Sequence, residues 1–270
     1  MTPQEYFNFI DNAYLKHDPA LIEADIRKIV ELSKEEYGEN TVVHAAMLSE
    51  LGAFFRGQRK LDDSIHYFKL SIELLEKVSG TNTADYATGL DNLGSAYRLA
   101  GRFEDAKECF NKCLEIYRNN VGEKHILYAA GLNNLGMLAL DQDDTNAAAN
   151  YFEQCSLILK EMPEAIDEYT TTICNTASLY YQLKDYPKAE ALLIEAIDKF
   201  ETILGVETPH YHAALNTLGL CFSAQGEFEK ACFWFKKSVD AANHLYSHEH
   251  LECQAAEQNL KDAQSHLKEK

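Results

Sequence analysis

Apolar residues recur along the chain at helical spacing. Leu90, Leu93 and Tyr97 stand at i, i+3 and i+7, which places their side chains on one face of an α-helix. That stretch predicts a helix over about 84–99, and the next amphipathic stretch predicts a second over about 103–119. Gly101 lies between them and marks the turn.

The same frame returns several times, and a repeated frame decides the fold class. It reads Leu93-Gly94-x2-Tyr97 with Ala106-x3-Phe110, then Leu135-Gly136 with Ala148-x3-Phe152, then Leu218-Gly219-x2-Phe222 with Ala231-x3-Phe235. Upstream stands Leu51-Gly52-x2-Phe55 with Ser64 and Phe68. A weaker copy is Thr176-Ala177-x2-Tyr180 with Ala189-x3-Leu193. The small anchor residues at 52, 94, 136, 177 and 219 are spaced by 42, 42, 41 and 42. Gly38, Gly80, Gly122 and Gly205 each precede an anchor by 14 residues, and Pro163 takes that place in the fourth copy. Glycine and proline there stop helices. Each repeat therefore predicts two antiparallel helices, A and B. Gly94 and Ala106 are small enough for the two backbones to approach, and Phe110 fills the gap between them. The fold class expected is all-α.

With Leu90, Leu132, Ile173 and Leu215 at its tryptophan position, the frame resembles the tetratricopeptide repeat (W-x2-L-G-x2-Y, A-x3-F). The family period is about 34 residues. The longer period here, with segments such as GEKHILYAAGLNNLGMLAL and TPHYHAALNTLGLCF, is similar to the kinesin light chain subclass. The resemblance implies a right-handed superhelical solenoid of antiparallel helix pairs whose concave wall is lined by the A helices. The expected division is a capping helix pair over 1–37, five repeats over 38–247 and a capping helix over 248–270. The first pair aligns as a degenerate repeat with Ile22 and Ile26 at the Ala and Phe positions. The last helix is expected to turn Leu251, Ala255 and Leu260 inward. Helical arrays need such polar ends.

On helix A of the second repeat, the face opposite the core carries Thr88, Asp91, Asn92, Ser95 and Arg98. Two residues before the anchors stand Glu50, Asn92, Asn134, Asn175 and Thr217, and three before them Ser49, Asp91, Asn133, Cys174 and Asn216. An asparagine offers both a donor and an acceptor, so a ladder of them can satisfy the backbone of an extended peptide. The same side chains can instead bond neighbouring helices, and the sequence leaves both readings open. The resemblance favours the first, because some family members hold peptide backbones or terminal carboxylates at matching positions. Four residues after the anchors come Arg56, Arg98, Leu140, Tyr181 and Ser223. Arginine grips carboxylates bidentately. Arg56 and Arg98 either pair with Glu50 and Asp91 or meet acids of a partner. The wall then turns apolar through Met137, Leu140, Tyr181 and Leu220. The candidate partner-binding set is thus Arg56, Arg98, Thr88, Asp91, Asn92 and Ser95, joined by Asn133, Asn134 and Met137, and further on by Asn175, Tyr181 and Asn216.

Charge narrows the partner. Lys and Arg number 25 against 43 Asp and Glu, a net charge of −18, which repels nucleic acid and anionic membrane surfaces. No stretch approaches the roughly 20 apolar residues of a membrane span, and the first residues lack the pattern of a secretory signal. None of the seven cysteines forms a CxxC pair, so they read as reduced thiols of a cytoplasmic protein. Cys109 and Cys113, at i and i+4, and Cys155 in the next repeat read as core. His244, His248 and His250 are close in sequence, but no Cys or carboxylate cluster completes a zinc site. His125 and His250 align with Thr41, Thr83 and Thr208 at the starts of A helices, a structural place. No phosphate loop, nucleophile elbow or carboxylate pair stands in a motif frame. Neither a cofactor nor catalysis is expected. The function expected is a cytoplasmic adaptor that holds a peptide or protein segment, acidic and hydrophobic in character, with its oligomeric state open. The alternatives are an intracellular receptor for a signalling peptide and an enzyme built on the solenoid.

Overall fold

The computed structural model of the chain describes residues 2–16, 18–246 and 250–268. Every regular element among them is helical. In chain order the α-helices are α1 (Pro3–Tyr14), α2 (Pro19–Tyr37), α3 (Val42–Gly57), α4 (Leu61–Ser79), α5 (Ala84–Leu99), α6 (Phe103–Asn120) and α7 (Ile126–Asp141). They continue as α8 (Thr145–Lys160), α9 (Ile166–Gln182), α10 (Tyr186–Lys199), α11 (Pro209–Ala224), α12 (Phe228–Leu245) and α13 (Leu251–Lys268). The A helices are α3, α5, α7, α9 and α11. The B helices are α4, α6, α8, α10 and α12. The chain forms two compact units, 1–138 and 139–270, divided within α7.

In the first unit each helix from α1 to α6 packs on the next, and α3 also touches α5 directly. In the second unit the same succession runs from α8 to α13, with direct contacts of α9 with α11 and of α11 with α13. A helices therefore lie beside A helices in each unit, as a helical repeat requires.

A side-chain cap sets the start of α3, α5, α7, α11 and α13, whereas α9 follows a 3-10 turn at Pro163–Ala165 with no such cap. Thr41, Thr83 and Thr208 accept from the backbone N–H of His44, Tyr86 and Tyr211, each at 3.2 Å. At the aligned position His125 uses Nδ1 to accept from Leu127 N–H at 3.2 Å, and His250 accepts from Glu252 N–H at 3.3 Å. These two histidines thus serve as helix caps. Thr83→Ala is expected to cost about 1 kcal/mol, the usual loss of an N-cap, and His125→Thr close to nothing. Urea midpoints of the two variants check this.

The anchor glycines make room for an aromatic ring. A Cβ added at Gly94 would lie 2.6 Å from Phe110 Cε1, and one at Gly219 would lie 2.5 Å from Phe235 Cδ1. Both rings are buried. In the fourth repeat the anchor is Ala177 and the ring is replaced by Leu193, both buried in one core. A methyl on helix A goes with a smaller side chain on helix B. Cys109, Cys113 and Cys155 are buried as core.

The last helix corrects an expectation. Leu251 is 64% exposed and Ala255 is also exposed. The inward side chains are Cys253, Ala256 and Ala263, with Leu260 partly buried. These stand 42 residues after Tyr211, Ala214, Cys221 and Leu218, so α13 takes the register of one more A helix. The expectation followed the larger apolar side chains, whereas the packing follows the repeat. Lys261 occupies the anchor place, so α13 has no seat for a B-helix ring.

Candidate functional site

The candidate residues of the first unit lie on α3, on α5 and on the part of α7 up to Leu138. Thr88 is exposed, and Asp91, Asn92, Ser95 and Arg98 are partly buried on α5. Asn133, Asn134 and Met137 are partly buried on α7. Arg56 sits in the last turn of α3 and Arg98 in the last turn of α5, where a cation suits the helix dipole.

Hydrogen bonds tie these helices together. Arg56 Nη1 donates to Asn92 Oδ1 at 3.3 Å. Asn134 Nδ2 donates to Asp91 Oδ2 at 2.8 Å, and the Cys113 thiol lies 3.6 Å from Asp91 Oδ1 as a weak donor. Thr88 donates to Ala84 O at 3.0 Å and shares a hydrogen bond of 2.9 Å with the Tyr117 hydroxyl. The amide ladder is therefore engaged between neighbouring helices, one of the two readings the sequence left open. It is not exhausted by that role. Among the described residues the Asn92 amide nitrogen and the Asn134 amide oxygen have no partner.

The electrostatics are those of a partly dry surface. Loss of water pushes the Asp91 carboxyl above the usual carboxylate range, against the hydrogen bonds from Asn134 and Cys113 and the charge of Arg56. Desolvation likewise disfavours the Arg56 cation; Asp91 and Glu50 support it and Arg98 repels it. The two guanidinium groups thus sense each other, as their equivalent positions imply. Among the described residues no carboxylate stands at ion-pair distance from Arg56. Its guanidinium carbon lies 5.6 Å from the centre of the Phe68 ring. Burial, followed by the charge of Asp91, pushes the Cys113 thiol up, so it remains protonated.

Beside this array lies a pocket of about 210 Å³ between α1, α3, α4 and α5. Glu50, Asp85, Thr88 and Asn92 line it together with the apolar Phe7 and Leu75. Sequence reasoning placed Glu50 on this face but did not find the pocket. Phe7 belongs to α1 of the degenerate first pair and stands 42 residues before Ser49, so spacing places it on the same face but does not show that it closes a pocket with α4 and α5.

In the second unit Asn175, Tyr181 and Asn216 are partly buried. Asn216 Oδ1 accepts from Asn259 Nδ2 of α13 at 2.9 Å, and the Tyr181 ring lies 5.9 Å from that of Tyr186. Leu140 is only 3% exposed; as core it offers no open apolar surface, contrary to the expectation for that position. Among the described residues no group of His, Cys, Asp and Glu is placed to hold a metal; His248 lies outside them. No helix of the described residues is long and apolar enough to cross a membrane.

The Asp91–Asn134 contact changes what a mutation should do. Asn134→Ala takes away the one amide donor of a desolvated carboxyl, and such a loss costs about 1–3 kcal/mol. A fall in unfolding stability of that size is expected, where a free ladder rung would give none. An unchanged denaturation midpoint would return Asn134 to the role of a free rung.

The family model for the tetratricopeptide repeat matches residues 43–119, 90–161 and 168–244. Among solved structures, NprR in complex with its cognate peptide NprX superposes with a TM-score of 0.70 at 15% identity, covering 99% of this chain and 76% of that one. Rap protein complexed with competence and sporulation factor gives 0.66 at 16% identity, covering 98% and 75%. A proposed kinesin light chain from Podosopora anserina, with nearly identical TPR-like repeats, gives 0.53 at 16% identity, covering 75% and 97%. These likenesses show the fold. No protein with a curated description matches the chain.

Proposed function

Because the chain belongs to the tetratricopeptide-repeat family, whose repeats are protein-interaction modules, we propose that it holds a peptide or protein segment against its A helices. The observation that carries this reading is Arg56. It is a partly buried guanidinium with one amide contact and no ion pair among the described residues, set beside the open Asn92 amide nitrogen. Several donors of fixed geometry there suit a carboxylate of an acidic segment. Asn134, with its open amide oxygen, supplies an acceptor for a backbone N–H of the same segment. Ser95, Arg98, Asn133 and Met137 extend the surface in the first unit. Asn175, Tyr181 and Asn216 make a corresponding, more aromatic surface in the second. The protein acts by binding, in the cytoplasm, and not by catalysis.

A second reading is an intracellular receptor for a signalling peptide. It is favoured by the extent of the likeness to NprR and Rap protein, which takes in 99% and 98% of the chain, and whose structures hold a cognate peptide and a competence and sporulation factor.

A random-peptide display library panned on the protein tests the binding surface. Selected segments should shift the backbone amide signals of Thr88, Asn92, Ser95 and Asn134 and leave those of Glu104 and Lys107, exposed on α6, unmoved. Binders that shift only α6, or a library that yields none, would sink the proposal.

A further inference from the structure

The 210 Å³ pocket beside Arg56 carries a more specific statement. Drug-sized ligands occupy sites of roughly 300 Å³ and above, so this one has the scale of a single amino-acid side chain. Its bottom is formed by the buried Ser71 and Leu75 of α4, and Val42, Ala46 and Phe7 add apolar surface. Two of its neutral polar groups are already committed. Ser71 Oγ donates to Ala45 O at 2.7 Å, and Thr88 bonds Ala84 O and Tyr117. The carboxylates of Glu50 and Asp85 make no hydrogen bond or ion pair among the described residues. The open capacity of these two groups is for accepting, beneath a negative field and above an apolar bottom.

We infer that this pocket receives a basic side chain with an aliphatic stem from the bound segment, its stem against Phe7, Val42 and Leu75 and its cationic head between Glu50 and Asp85. Long basic side chains bury their stems along apolar surface and keep their heads at polar groups. Glu50 supports the sign of the ligand. Burial and the nearby Asp11 push its carboxyl up, and Arg56 only partly opposes them. An incoming cation relieves that carboxylate, whereas an acid or a neutral stem does not. The inference rests on the reading of the A helices as the binding surface and adds the chemistry of one residue of the partner. Since Asn92 both lines the pocket and accepts from Arg56, the partner's basic residue lies next to the acidic one that Arg56 would hold.

Two small probes test it without the natural partner. Nα-acetyl-lysine methylamide titrated into the full chain should shift the amide signals of Thr88 and Gly89 saturably. The norleucine counterpart, with the same stem and no charge, should bind about tenfold more weakly, the scale of one charge-assisted contact. Glu50→Gln should reduce the lysine probe to the norleucine level and melt no lower than the unaltered protein. Equal affinity for the two probes, or a lysine probe that leaves Thr88 and Gly89 unmoved, overturns the inference. Display-selected peptides that shift Ser95 and Asn134 with no basic residue in common overturn the pocket alone and leave the binding surface standing. A library that yields no binder at all removes both.

Discussion

Truncating Phe110 to alanine is expected to lower the unfolding free energy by about 3–5 kcal/mol, the range for a fully buried phenylalanine. The ring is 0% exposed and covers Gly94, so its loss leaves a void between α5 and α6. Gly94→Ala attacks the same contact from the other side. Its methyl would begin 2.6 Å from Phe110 Cε1, and overpacking of that kind costs about 1–3 kcal/mol. The helix propensity of alanine over glycine returns about 1 kcal/mol of this. The informative variant is the double one. Gly94→Ala with Phe110→Leu copies the pair Ala177 and Leu193 of the fourth repeat. It should be more stable than the sum of its two single changes by about 1–2 kcal/mol, since residues in contact couple on that scale. Urea denaturation of the four proteins measures the coupling. Additive losses would mean that the covariation between these positions has no steric cause.

That pair shows how far this fold was legible. The period of 42 residues, the anchors and the stop signals locate the helices closely: the stretch expected near 84–99 is α5, Ala84–Leu99. The site was legible only in part. Its residues could be placed on one face from spacing alone, but their pairing could not. Asn134 meets Asp91 across 43 residues, one more than the repeat. The contact joins the position two before one anchor to the position three before the preceding one, an offset set by how A helices stack sideways. Leu140 occupies the same repeat position as Arg56 and Arg98, yet it is buried where they are only partly so. Spacing alone assigns one face to all three. The pocket needed Phe7 of α1, which keeps the 42-residue register with Ser49 but carries Ile10 in place of the small anchor residue, and spacing does not show that it meets α4 and α5.

Arg56→Gln is expected to weaken binding of a selected acidic segment by about 2–5 kcal/mol, the cost of removing one partner from a desolvated charge pair. That is on the order of thirtyfold to several thousandfold in Kd. In the free protein the same change should be mild, because Arg56 makes no ion pair there among the described residues and glutamine still has a donor for Asn92. What the free protein loses is the support Arg56 gives to ionised Asp91 and Glu50, whose carboxyls are both pushed up by burial. A carboxyl with a raised folded pKa binds protons more readily folded than unfolded, so its contribution to stability falls as pH rises from its ordinary value. Without Arg56 that fall steepens. The variant should match the unaltered protein near about pH 3, where ordinary carboxylates are largely protonated, and drop behind it as the pH rises through the carboxylate range. Binding should respond to salt in the opposite order. Added salt weakens the complex of the unaltered protein by screening the pair and affects the variant less. Equal affinity and equal salt dependence for the two proteins would remove Arg56 from the binding surface and leave recognition to its amides and apolar residues.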